Sequence, residues 1–195
     1  MGAVILVRHT EISRDWKNRC YGVSDIPLSA AGVAAISAIA ENLASLAPAR
    51  VIHSGLSRTQ SLAADIARHS KCRMSEDKSF QELNFGSWEG RSWVAIFAEV
   101  GHAMSRMITE PETFAPPNGE TVHAMRDRVV RALLRIPVDD LTIVVTHGGP
   151  IGAVRGTLQN IPANKWPGLV PQYGEAMRLT RSDLSKLQAA LRLQA

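Results

Sequence analysis

The first apolar run of the chain, Val4 to Val7, is four residues long and ends at a charged pair, Arg8-His9. Short β-prone runs bounded by polar residues and glycine predict buried strands. The pattern recurs at Arg50 to His53, Lys71 to Met74, Leu141 to Thr146 and Ala176 to Thr180. Between these runs, apolar residues return every three or four positions, the spacing of one helix face. Helices are expected from Ala30 to Ala47 with Ser29 as cap, Ser57 to His69, Ser92 to Val100, Gly119 to Ile136 and Pro150 to Leu158, with a C-terminal amphipathic helix from Ser182. Glu76 to Gly90 reads as irregular. Strands alternating with helices imply a three-layer α/β/α fold around a mostly parallel sheet. The stretch from Gly101 to Asn118, with Pro111, Pro116 and Pro117, reads either as a cover over a site or as a plain surface connection.

Ligands of open α/β sheets collect beyond the carboxyl ends of the strands. Three of the predicted strand ends carry the same kind of chemistry: Arg8-His9 after the first, Arg58 at the turn into the helix after Arg50 to His53, and His147 before Gly148-Gly149. Two imidazoles and two guanidiniums together offer a nucleophile and fixed positive charge, which transfer of a phosphoryl group requires.

The ordered motifs resemble those of the histidine phosphatase superfamily, the phosphoglycerate-mutase-like proteins. Arg8-His9-Thr10-Glu11 is similar to the family's R-H-G/T signature, and Ser54-Gly55-Leu56-Ser57-Arg58 to its S-P-L-x-R element. Glu82 to Gly90 resembles E-x-x-F-G-x-W-E-G, Gly119-Glu120-Thr121 a G-E-S/T turn, and Thr146-His147-Gly148-Gly149 the closing histidine motif. Thr10, Ile12, Gly55 and Gly152 depart from the family pattern, the first two at the phosphate loop. The stretch Cys20-Tyr21-Gly22-Val23-Ser24-Asp25-Ile26-Pro27-Leu28 is similar to the α-ribazole phosphatase branch of cobalamin synthesis.

The resemblance implies a phosphomonoesterase with His9 as nucleophile, Arg8, Arg58 and His147 around the phosphoryl oxygens, and Glu82 as proton donor and acceptor, with Glu11 and Glu89 as weaker candidates for that role. Thr10, Tyr21 and Gly148 are the candidate substrate-binding residues. Its best single substrate would be α-ribazole 5′-phosphate. A phosphoglycerate mutase, a broad-specificity phosphatase and a non-catalytic phosphate-binding module are the alternatives.

Composition narrows the classes further. The 195 residues, 45% of them hydrophobic, are enough for one enzyme domain. A net charge of +4 suits anionic small molecules and is too small to imply nucleic acid. The arginines 126, 128, 131 and 135 read as the solvated basic face of an amphipathic helix. The six histidines include no H-x-H or H-E-x-x-H pair, so neither a metal nor any other cofactor is expected. With two isolated cysteines and an N-terminal apolar run too short for a signal peptide or a membrane span, a cytoplasmic protein without a membrane partner is expected.

Overall fold

The computed structural model describes residues 2–192. Its sheet has five strands, β1 (Val4–Arg8), β2 (Arg50–His53), β3 (Arg73–Glu76), β4 (Thr142–Thr146) and β5 (Ala176–Leu179), in the order β3-β2-β4-β1-β5. The first four in that order pair in parallel, and β5 runs antiparallel to β1. Side chains alternate between the two faces of a strand, and both faces of β1 and β4 are covered. Ile5, Val7, Ile143 and Val145 pack on α1 (Ala30–Ala44) and α2 (Ser57–Ser70). Across the sheet, Val4, Leu6 and Val144 pack against residues that include Val129, Ile151 and Leu187. Those three come from α5 (Val122–Leu134), α6 (Gly148–Leu158) and α7 (Arg181–Arg192), numbered after α3 (Trp93–Val100) and α4 (Arg106–Thr109). Truncating Leu6, which is fully buried, to alanine should cost roughly 2–5 kcal/mol.

The expected strand from Lys71 to Met74 begins two residues later, at Arg73. Helix α2 runs to Ser70, and Lys71 takes a left-handed conformation as its C-cap (φ 52°), so extended backbone starts only beyond it. Likewise α1 stops at Ala44 rather than Ala47, and Ala47 turns the chain at φ 52°. The predicted capping by Ser29 is present, its hydroxyl accepting from the Gly32 amide at 2.9 Å. The basic face of α5 needs correction. Arg131 and Arg135 are exposed, but Arg126 is buried and paired with Asp127, and Arg128 is turned inward. No described helix is long and apolar enough to cross a membrane.

Candidate active site

Sheet register builds the pocket. Arg8 pairs with Thr146 across β1 and β4, and His53 with Val145 across β2 and β4. The next residues, His9 and His147, therefore leave adjacent strands at one level, and Ser54 leaves β2 one register step earlier, level with Thr146. Their environment is dry: His9 is 2% exposed, His147 and Ser54 not at all. The His9 and His147 rings meet edge to face with centroids 5.2 Å apart.

His9 Nδ1 lies 2.7 Å from the Thr10 carbonyl. A carbonyl only accepts, so Nδ1 carries the proton and Nε2 keeps its lone pair. Burial first, then the charges of Arg58 and Arg8, push its pKa down to about 3 against the opposing pull of the Thr10 carbonyl, and the ring stays neutral at physiological pH. Thr10 is absent from the residues with positive φ, so the loop does not need the glycine that the family pattern places here. Burial and Arg58 together hold His147 well below the ordinary histidine range.

Arg58 is 1% exposed and saturated on its outer side. Its Nη1 donates to the Ser24 carbonyl at 2.7 Å, Nη2 to the Gly22 carbonyl at 2.5 Å, and Nε to His147 Nδ1 at 3.3 Å. The amides of the same loop go the other way. Glu89 accepts from Gly22 N, Val23 N and Ser24 N at 3.0 to 3.2 Å, from Phe85 N at 3.1 Å, and from the Ser24 hydroxyl. The 22–24 peptides are thus held between a cation and an anion. Gly22 is needed at this spot, because a Cβ there would lie 1.7 Å from the Leu83 carbonyl oxygen. Asp25 caps α2, accepting from Ser57 N at 2.9 Å, and so fixes the turn of helix that carries Arg58.

Arg8 donates from Nη1 to the Pro171 carbonyl at 2.7 Å, with its guanidinium 4.0 Å above the Tyr173 ring. Two buried donors beside His9, Arg8 Nε and Thr10 Oγ1, have no partner among the described residues. Gly148 makes room for Val170 beside this arginine: a Cβ there would lie 2.7 Å from the Val170 side chain.

Glu82 is held by two backbone donors, Leu83 N at 2.9 Å and Gly149 N at 3.0 Å in the first turn of α6. Its carboxylate lines a cavity of about 370 Å³ whose walls include Tyr21, Phe85, Trp93, Met107 and Trp166, with Lys17 and Arg19 also present. Met107 and Ile108, from the 101–118 stretch, contribute to the wall of this cavity. The other two candidate carboxylates serve the scaffold instead. Glu89 is occupied as described, and Glu11 accepts from the Ser29 hydroxyl at 2.7 Å, beside the start of α1.

Several site residues carry no motif in the sequence. Tyr173 covers Arg8 and lies 5.7 Å from His9 by ring centroids, and the hydroxyl of Tyr21 is driven upward in pKa, chiefly by burial and then by Tyr173. Arg128 donates to the carbonyls of Ser79, Gln81 and Glu82 at 2.8 to 2.9 Å and to Glu120, fixing the segment that presents Glu82. His123 stacks on Trp166 at 5.6 Å and is not among the residues lining the cavity, and His102 packs on Phe97 at 5.6 Å. Among the described residues no three His, Cys, Asp or Glu side chains converge as metal ligands.

A family model for the histidine phosphatase superfamily (branch 1) matches residues 4–187. The probable phosphoglycerate mutase GpmB of Salmonella paratyphi C (strain RKS4594) is 31% identical over 163 residues, covering 82% of this chain and 76% of that protein. Among solved structures, the fold is similar to Bacillus stearothermophilus YhfR (TM-score 0.80, 21% identity, 90% and 89% of the two chains). It is also similar to a mycobacterial glucosyl-3-phosphoglycerate phosphatase (0.78, 23%, 92% and 91%) and to the α-ribazole phosphatase of Shigella flexneri (0.74, 23%, 90% and 89%). The chain belongs to the histidine phosphatase superfamily, and it is an enzyme of that superfamily's phosphatase and mutase class.

Proposed function

We propose that the protein hydrolyses phosphate monoesters through a phosphohistidine on His9, with α-ribazole 5′-phosphate of cobalamin nucleotide-loop assembly as its substrate. One observation carries the reaction: the bare Nε2 of a neutral His9 lies in the field of buried Arg58 and half-buried Arg8, and the buried atoms Arg8 Nε and Thr10 Oγ1 have no partner among the described residues. Buried donors are ordinarily satisfied, so this pair is suited to an oxyanion ligand. In the first step the Nε2 lone pair forms the P–N bond while the bond from phosphorus to the ester oxygen breaks. Arg8 and Arg58 offset charge on the non-bridging oxygens. Glu82, on the cavity wall, supplies the proton that the leaving alkoxide takes. In the second step water attacks phosphorus, its proton returns to Glu82, and the P–N bond breaks to release phosphate.

The substrate assignment is supported by the cavity beside Glu82. A volume of about 370 Å³ walled by Tyr21, Phe85, Trp93 and Trp166 suits a planar aromatic base on a ribose. The two unpaired cysteines, Cys20 and Cys72, suit a cytoplasmic setting. Lys17 and Arg19 on the same cavity favour a second reading, in which a carboxylate such as that of phosphoglycerate is recognised and the protein is a mutase or a broad-specificity phosphatase. A turnover panel separates the two. α-Ribazole 5′-phosphate is expected to show a higher kcat/KM than 3-phosphoglycerate, with no 2-phosphoglycerate formed. A clear win for 3-phosphoglycerate or another small ester would overturn the substrate assignment and leave the phosphohistidine chemistry standing.

A further inference from the structure

We infer that Ser54 and Thr59 are positioning residues that fix His147 as the tautomer protonated on Nε2, so that His147 takes up a proton at Nδ1 when a phosphoryl dianion enters. The inference rests on the reading of this pocket as a phosphate site. It follows from a chain of hydrogen bonds that can run in one direction only. The Thr59 hydroxyl donates to the Leu56 carbonyl at 2.8 Å, which uses its single proton. In the 2.9 Å contact between Ser54 Oγ and Thr59 Oγ1 the donor is therefore Ser54. Its own proton being committed, Ser54 accepts in the 2.8 Å contact with His147 Nε2, and that nitrogen carries the hydrogen. The opposite nitrogen agrees, because Nδ1 receives the Arg58 Nε–H at 3.3 Å and must present a lone pair.

This arrangement changes the role expected of His147. Its one N–H is spent on Ser54, so the neutral ring is not a standing donor to phosphate. The charged and titratable groups felt at the ring are Arg58, His9, Arg128 and Arg8, all cationic or neutral, and the ring is fully buried. None of these groups favours protonation of the ring. A dianion between His9 and Arg58 reverses the sign of that field. A proton from solvent then binds the Nδ1 lone pair, Nδ1–H turns to a phosphoryl oxygen, and the Arg58 Nε–H released from Nδ1 donates to the same anion. Both nitrogens of His147 end as donors, one to Ser54 and one to the ligand.

Two measurements on the intact protein test this. In ¹⁵N spectra of the free protein, His147 should show a protonated Nε2 and a bare Nδ1. Sulfate, which stays a dianion across the working range, is then titrated by calorimetry near pH 8 in buffers of different ionisation enthalpy. Wild type should take up about one proton per site. His147→Asn should lose that uptake. In Ser54→Ala nothing holds the hydrogen on Nε2, so once sulfate draws the Arg58 Nε–H away from Nδ1 that hydrogen can pass to Nδ1, and uptake should fall toward zero while sulfate still binds. A Nδ1–H ring in the free wild-type protein overturns the positioning role alone. Uptake unchanged in His147→Asn puts the proton on His9 and overturns the inference. Failure of wild type to bind sulfate overturns the phosphate-pocket reading and the proton uptake together.

Discussion

Around the phosphate pocket, Arg58 donates to the Gly22 and Ser24 carbonyls while Glu89 takes the amides of the same loop, and His9 and His147 are each tied to a neighbour by a ring nitrogen. In the adjoining cavity the walls are mostly apolar side chains, with contacts such as Phe85 on Trp93 at 5.7 Å, edge to face. The first region is specified by directional bonds, each of which loses most of its value when an atom moves. The second is specified by shape, and many sets of side chains produce a similar shape. Changes in the first should therefore alter catalysis by orders of magnitude, and changes in the second should alter selectivity by small factors.

The largest expected effect is at His9. His9→Ala removes the nucleophile and should lower turnover by on the order of 10⁴-fold or more, the scale seen when a covalent nucleophile is lost. Rapid quench of the wild-type reaction with ³²P-labelled ester in alkaline detergent, run on a gel kept at high pH, should show a base-stable, acid-labile phosphoenzyme that this variant lacks. Retention of the adduct in His9→Ala would place the chemistry elsewhere.

Next comes Glu82, which stands where the two regions meet. Glu82→Gln keeps one of the two acceptor oxygens and loses the transferable proton. Alkyl phosphates, whose leaving oxygens are basic, should slow by roughly 10²–10⁴-fold, and p-nitrophenyl phosphate much less. Equal losses on both esters would make Glu82 a structural carboxylate like Glu89.

The same contrast accounts for what could be read from the chain. His9 and His147 are legible because strand ends are short and register places the two at one level, and Arg58 is legible as the arginine in the first turn of the helix after β2. Arg128 is not. On α5 it sits among basic residues that look like a solvated face, and only the fold reveals that its hydrogens go to the Ser79, Gln81 and Glu82 carbonyls. Tyr173 carries no signal in the sequence for a related reason: it lies in a loop without periodicity, and its contact with Arg8 spans most of the sequence. The segment from Cys20 to Leu28 was read for substrate, yet most of what it does is hold Arg58. Gly22 and Ser24 supply carbonyls, Asp25 caps α2, Cys20 is buried, and Tyr21 alone lines the cavity.

A third, smaller effect distinguishes the regions by pH. His9 and His147 are held neutral in the folded protein below the ordinary histidine value of 6.5, His9 down to about 3. The unfolded chain therefore binds more protons below pH 6.5, and folding stability is lost as pH falls from there toward about 3. Each histidine contributes up to about 1.4 kcal/mol per pH unit, a factor of ten in the folding equilibrium. Urea unfolding at stepped pH should show a shallower acid slope in His147→Asn than in wild type. An unchanged slope would mean that His147 is not held neutral.

The smallest effect belongs to the cavity. Trp93 is half-buried, lines it, and keeps its ring against Phe85. Trp93→Leu preserves bulk and hydrophobicity but removes one aromatic surface, and a well-placed aromatic contact is worth about 0.5–1.5 kcal/mol. The kcat/KM for α-ribazole 5′-phosphate should fall by about 2- to 12-fold, while the inhibition constant for inorganic phosphate, which needs only the polar pocket, should not move. A matching loss in phosphate affinity would show that wall and pocket are mechanically one unit. Unchanged kcat/KM for the ribazole ester, with phosphate also unaffected, would show that the base does not lie against this wall, and the aromatic lining would no longer speak for that substrate.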